Sequence, residues 1–168
     1  MNIDIYTKKT NNTYKTKYGL PFQCVELIRR FFLTVKDLTF PNVDDAVYFF
    51  NNINYFVSLK NPNTIIPLET FSYPYNYSYS HYLKPGSILF WKYNKNNFPH
   101  GHVALIIDSN EKETLVAQQN LNPPIKKYNT KDLFDKINCA NSKFLGIKQL
   151  PKRILSDIKN IQFSIIHI

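Results

Sequence analysis

Between Ser87 and Asn120 three short runs rich in β-branched and aromatic residues follow one another: SILFWKY (Ser87–Tyr93), HVALIID (His102–Asp108) and TLVAQQN (Thr114–Asn120). Polar, turn-forming segments separate them, the pattern of an antiparallel meander. Upstream the periodicity changes. In CVELIRRFFL the residues Val25, Ile28 and Phe32 share one helical face, Leu27 and Phe31 adjoin it, and Glu26 is placed to meet Arg30 one turn later. Pro21 disfavours helix at Leu20 and Gly19 permits a turn, so this helix is expected to open at Cys24. A second helix is expected from Val43 to Ile53, with Asp44 and Asp45 in its first turn. Helices first and strands later imply an α+β fold, not a βαβ one.

The rest of the chain reads more loosely. Asn61–Tyr82, with Pro62, Pro67, Pro74 and the stretch FSYPYNYSYSHY, is expected to be a long ordered loop. A short helix near Thr130–Ile137 and a strand near Lys143–Leu150 complete the pattern. No internal repeat or linker divides residues 1–168, which are expected to form a single domain with a polar N-terminal arm (1–17) and a C-terminal extension (151–168) whose FSIIHI suits an extra strand.

Composition excludes several function classes. The net charge of +9 is spread without a Lys/Arg block, so a nucleic-acid footprint is not indicated. Without a signal-like apolar segment or membrane span, the expected compartment is the cytoplasm. No CxxC pair, HExxH, Walker loop or GxGxxG is present, so neither a metal nor an organic cofactor is expected. The pattern is silent on oligomeric state.

The two cysteines differ in address. A helix N-terminus lowers a thiol pKa from about 8.5 toward the thiolate range, and its free N–H groups can also stabilise an oxyanion. Cys24 has that position, and the Gln23 side chain is a further oxyanion donor. Cys139, in the polar turn INCANS, reads as structural. Of the four histidines, His167 is next to last in the sequence and His81 lies in the tyrosine-rich stretch, which leaves His100 and His102. His102 opens an apolar strand that would hold its ring, and a hairpin centred on Asn110 would place it opposite Gln118. Gln118 would then accept from Nδ1–H and leave Nε2 facing the cysteine. Cys24, His102 and Gln118 are therefore the candidate catalytic set.

Four motifs in order, PFQCVELIRRF, KPGSILFW, GHVALI and VAQQN, resemble the CHAP amidohydrolase/peptidase superfamily. Within it the chain is most similar to the amidase domains of glutathionylspermidine synthetase/amidase and trypanothione synthetase, from about Tyr18 to Leu150. The resemblance implies a papain-like fold, N-terminal helices packed on an antiparallel sheet or half-barrel, with Cys24 as nucleophile and His102 as base. It implies that Arg29 contacts a substrate carboxylate and that Gln119 and Asn120 line the pocket. Where the amidase branch has Glu-Gln-Asn, this chain has Gln118-Gln119-Asn120, an amide in the carboxylate's place.

The implied substrate is a small peptide–amine conjugate or a peptide. A peptidoglycan or peptide hydrolase is the alternative within the superfamily, and a CHAP-fold binding module with a weakened triad is the alternative outside catalysis. Taken singly, each residue also has an ordinary reading: Cys24 as a small buried hydrophobe, His102 as a strand-end histidine, and Arg29-Arg30 as a helix-surface pair with Glu26.

Overall fold

The computed structural model describes residues 1–7, 18, 23–43, 45–73, 83–93, 100–135, 142–156, 158 and 161–166. Expectations for Gly19, Pro21, Asp44, the tyrosine-rich stretch from 74 to 82, Cys139 and His167 lie outside them.

Helix α1 (Cys24–Lys36) begins where expected. Gln23 is extended at φ −91° and ψ 158°, and Asp37 ends the helix in the left-handed region at φ 53°, its N–H reaching the Leu33 carbonyl. The apolar stripe of Val25, Leu27, Ile28, Phe31 and Phe32 is buried, and so are Glu26 and Arg29. Helix α2 (Ala46–Asn52) is capped by the Asp45 side chain, which accepts from the Tyr48 N–H at 2.8 Å.

The expected meander is present as β6 (Ile88–Tyr93), β7 (His102–Ser109) and β8 (Glu113–Ala117), within a six-stranded antiparallel sheet. Its other members are β5 (Glu69–Ser72), β9 (Ile125–Asn129) and β10 (Ser142–Gln149), in the order β5-β10-β6-β7-β8-β9. The strands alternate as a sheet covered on both faces must. Ile88, Phe90, Val103, Leu105 and Ala117 join the core with α1 and α2, while Leu89, Trp91, Ala104, Ile106 and Val116 pack with Leu133, Phe144 and Ile147 on the other side. On the helix side, aromatic rings interlock the layers, with centroids 4.9 Å apart for Phe32 and Phe56, 4.4 Å for Phe40 and Phe49, and 5.1 Å for Phe49 and Phe90.

Several elements depart from the sequence reading. Part of the expected loop forms β4 (Ile65–Pro67) and β5, two short edge strands. With β2 (Leu38–Thr39) and β3 (Tyr55–Ser58), β4 makes a small second sheet. The helices α3 (Asp132–Asp135) and α4 (Lys152–Leu155) are single turns. The N-terminal arm is also not simply polar. Its β1 (Asn2–Tyr6) buries Ile3 and Ile5 and pairs in parallel with β11 (Gln162–Ile166), so the two ends of the chain close on one another. Phe163 of β11 stacks on Phe31 of α1, centroids 6.2 Å apart, which seats this ribbon against the helix that begins at Cys24.

Candidate active site

The first turn of α1 meets the start of β7. Cys24 is a free cysteine, half-buried as a residue with its sulfur turned inward, and the backbone N–H groups of Val103, Val25 and Cys24 itself direct positive charge at the sulfur. A lowered pKa was the expectation from the helix N-terminus. The balance goes the other way: burial dominates and, with a contribution from the Asp45 carboxylate, pushes the thiol up to about 11.

Gly101 prepares the position of His102. It has φ +69°, and an added Cβ would collide with the Trp91 carbonyl oxygen and lie 2.9 Å from a Val47 methyl, so only glycine fits. Its neighbour His100 is fastened to α2, its carbonyl accepting from Ala46 and Val47 and its exposed ring 2.9 Å from Asp45. His102 then pairs with Trp91 across the β6–β7 ladder, the two rings 5.8 Å apart, and is 5 % exposed.

His102 and Gln118 meet as expected, by a different register. The ladder pairs Leu105 with Ala117 and Ile106 with Val116, a bulge follows at Ile107, and Ser109 pairs with Thr114. Relative to the expected hairpin the pairing next to the site is displaced by two residues. A shift of two preserves the face, whereas a shift of one would have separated the two side chains. Gln118 lies just beyond β8, its Oε1 3.2 Å from His102 Nε2 and its Nε2 2.7 Å from the Pro123 carbonyl oxygen.

These two distances assign the tautomer. A carbonyl oxygen can only accept, so Gln118 must turn its NH2 to Pro123 and its oxygen to His102. His102 Nε2 therefore carries the proton and Nδ1 keeps the lone pair, the reverse of the expected roles. Burial lowers the imidazole pKa to about 4; the bond to Gln118 opposes this, and Lys126 adds to it. At neutral pH the resting groups are thus a thiol and a neutral imidazole. Among the described residues no hydrogen bond joins the sulfur to the ring.

The three residues expected on the substrate side all make contacts within the protein. Arg29 is buried, its guanidinium lying 4.1 Å from the Phe40 ring centroid and donating to the carbonyls of Phe40, at 2.6 Å, and Pro41, at 3.2 Å. Through these two bonds it ties α1 to the backbone just after β2. Gln119 is fully buried instead of lining a pocket: its NH2 donates to Glu26 at 2.7 Å and to the Gln23 carbonyl at 3.0 Å, and its oxygen accepts from Tyr6 N–H and Arg30, each at 3.1 Å. Asn120 donates from Nδ2 to Gln23 Oε1 at 2.8 Å.

Residues that the sequence reading did not assign to the site complete this arrangement. Arg30 pairs with Glu26 at 2.7 Å, donates to the Asp4 carbonyl at 2.6 Å and lies 5.0 Å from the Tyr6 ring centroid. Of these contacts only the Glu26–Arg30 spacing had a local signal. Among the described residues no cluster of three or more His, Cys, Asp or Glu could hold a metal, and no helix is long and apolar enough to cross a membrane.

No family model matches the chain, and no curated protein matches it. One solved structure, titled "The crystal structure of Ly7917", is similar over 78% of this chain at 11% identity, with a TM-score of 0.49. The chain spans 54% of that structure's length. The α+β class rests on the helices and antiparallel sheets themselves.

Proposed function

We propose that the chain is a CHAP-type, papain-like cysteine hydrolase that cleaves an amide bond through a thioester. The observation that carries this reading is the convergence of the first turn of α1, bearing Cys24, on the strand start bearing His102, whose tautomer is fixed by Gln118. His102 Nδ1 takes the Cys24 proton as the sulfur attacks the amide carbonyl, and backbone N–H groups with the Gln23 amide hold the oxyanion. The tetrahedral adduct expels the amine with the proton from His102. Water, deprotonated by His102, then attacks the thioester and releases the acid, restoring the thiol. Gln118 orients the ring without supplying a compensating charge, so proton transfer accompanies attack instead of preceding it as a stable ion pair.

The substrate class that fits the motif resemblance is a small peptide joined to an amine, with glutathionylspermidine as the first compound to test. A peptide or peptidoglycan cross-link fits the wider superfamily. Cys24→Ala is expected to abolish hydrolysis with unchanged circular dichroism, and full activity in that variant would refute the assignment. The second reading, a binding module on the same fold, is favoured by the neutral resting pair and the lack of a sulfur–imidazole hydrogen bond among the described residues. Iodoacetamide separates the two: where His102 takes the Cys24 proton the alkylation rate falls in His102→Ala, whereas in a binding module it does not depend on His102.

A further inference from the structure

A leaving amine that takes its proton from His102 has to lie against that ring, so the groups beside His102 on the sheet meet the amine half of a substrate. Strand register shows which groups these are. Ile106 pairs with Val116, and Val116 pairs with Lys126. Partners across a ladder share a face, as do alternate residues along a strand, so His102, Ile106, Val116 and Lys126 all lie on one face of the sheet. Gln118, two residues beyond Val116, bonds to His102 on that face.

Two adjacent lysines of β9 are treated differently. Lys127 belongs to the opposite face and is neutralised within the protein by Glu113, at 3.1 Å. Lys126 is half-buried with its Nζ 4.6 Å from the Tyr128 ring centroid, and among the described residues no carboxylate pairs with it. Its charge reaches His102 and opposes protonation of the ring, which is a cost to a base that must hold the Cys24 proton. An anion seated on Lys126 offsets that cost, because its field at the ring has the opposite sign.

We infer that Lys126 is a specificity-determining residue that receives a carboxylate carried by the leaving amine, so that the amine half of the substrate is an amino acid or a peptide. The inference rests on the hydrolase reading above and deepens it. It gives Lys126 the carboxylate contact expected of Arg29, whose guanidinium is occupied by the Phe40 and Pro41 carbonyls. It also favours peptide substrates over conjugates of a cationic amine.

The test compares acylation of Cys24 in the full chain by p-nitrophenyl acetate and by 3-carboxy-4-nitrophenyl acetate, which share an acyl group and differ by one carboxylate on the leaving group. Each rate is divided by that of free cysteine with the same ester, which removes the difference in leaving-group reactivity, and mass spectrometry separates Cys24 from Cys139. The carboxylated ester is expected to be preferred about tenfold, the effect of one hydrogen bond between charged groups. Lys126→Gln should abolish the preference by slowing the carboxylated ester alone, and Lys126→Arg should retain most of it. Lys127→Gln removes the same charge from the opposite face and should leave the preference unchanged.

A preference that survives in Lys126→Gln overturns the inference. An equal loss in Lys127→Gln overturns it too, because that is the mark of net charge and not of a subsite. A parallel fall with both esters in Lys126→Gln is the mark of structural damage and has the same consequence. If wild-type Cys24 acylates with neither ester faster than free cysteine, the hydrolase reading fails and the inference falls with it. If the wild type is fast with both and indifferent to the carboxylate, only the inference falls.

Discussion

The two flanks of Cys24 are built differently. On the α1 flank, Glu26, Arg30, Gln119, Asn120 and the backbone of Asp4 and Tyr6 form a connected polar network that reaches Gln23 through both its carbonyl and its side chain. On the β7 flank, His102 makes one side-chain hydrogen bond, to Gln118, and is otherwise held by the Trp91 ladder and the glycine before it. Buried charge accounts for the contrast. Glu26 is 5 % exposed and must be satisfied by several donors, whereas a neutral imidazole needs only one acceptor for its single N–H. The nucleophile's support is therefore a network with long-range reach, and the base's support is mainly backbone shape.

The contrast breaks most readily at Glu26. Glu26→Ala leaves the half-buried Arg30 and the buried Gln119 donors without their carboxylate, and a loss of about 3 kcal/mol is expected in urea denaturation. A cost below about 1 kcal/mol would place Glu26 with ordinary surface ion pairs and dissolve the comparison. Glu26→Gln keeps one acceptor and should recover part of the loss.

Gly101→Ala attacks the other flank through the backbone alone. The left-handed φ and the contact with the Trp91 carbonyl predict about 2 kcal/mol of destabilisation, together with a displaced His102 ring visible in its imidazole proton shifts. If stability falls and the ring resonances do not move, the glycine serves the turn and not the histidine.

A third comparison runs through pH. His102 has its pKa depressed from 6.5 to about 4, so its contribution to stability is present above pH 6.5 and is lost as pH falls through about 4. Unfolding free energy should therefore decline across that window in wild type and decline less steeply in His102→Gln. Equal slopes in the two proteins would mean that His102 is not the buried titrating group of this flank.

The unequal support also explains which parts could be read from residues in order. α1, its start at Cys24, and the β6–β7–β8 meander depend on spacing over a few residues, and they form as expected. The contact of His102 with Gln118 was expected from an incorrect register, and it survived because the displacement was even. β1 was not legible, since its five residues acquire a partner only from β11 at the far end of the chain. Gln119 was misassigned for a related reason: nothing near it in sequence announces Glu26, Arg30 and the Tyr6 amide, the partners that bury it.

Sequence by itself determined the α+β class, the thiol at the opening of a helix and the histidine at the opening of a strand, because helix and strand periodicity, turn chemistry and glycine placement act locally. Only the tertiary structure decided the protonation states and the amide orientations. Burial, not the helix terminus, sets the Cys24 pKa, and the Pro123 carbonyl, through Gln118, decides which nitrogen of His102 holds the proton. The physical reason is that desolvation and donor–acceptor matching depend on what surrounds a group in three dimensions, and for this site those surroundings come from β1, α1, β7 and the turn after β8 together.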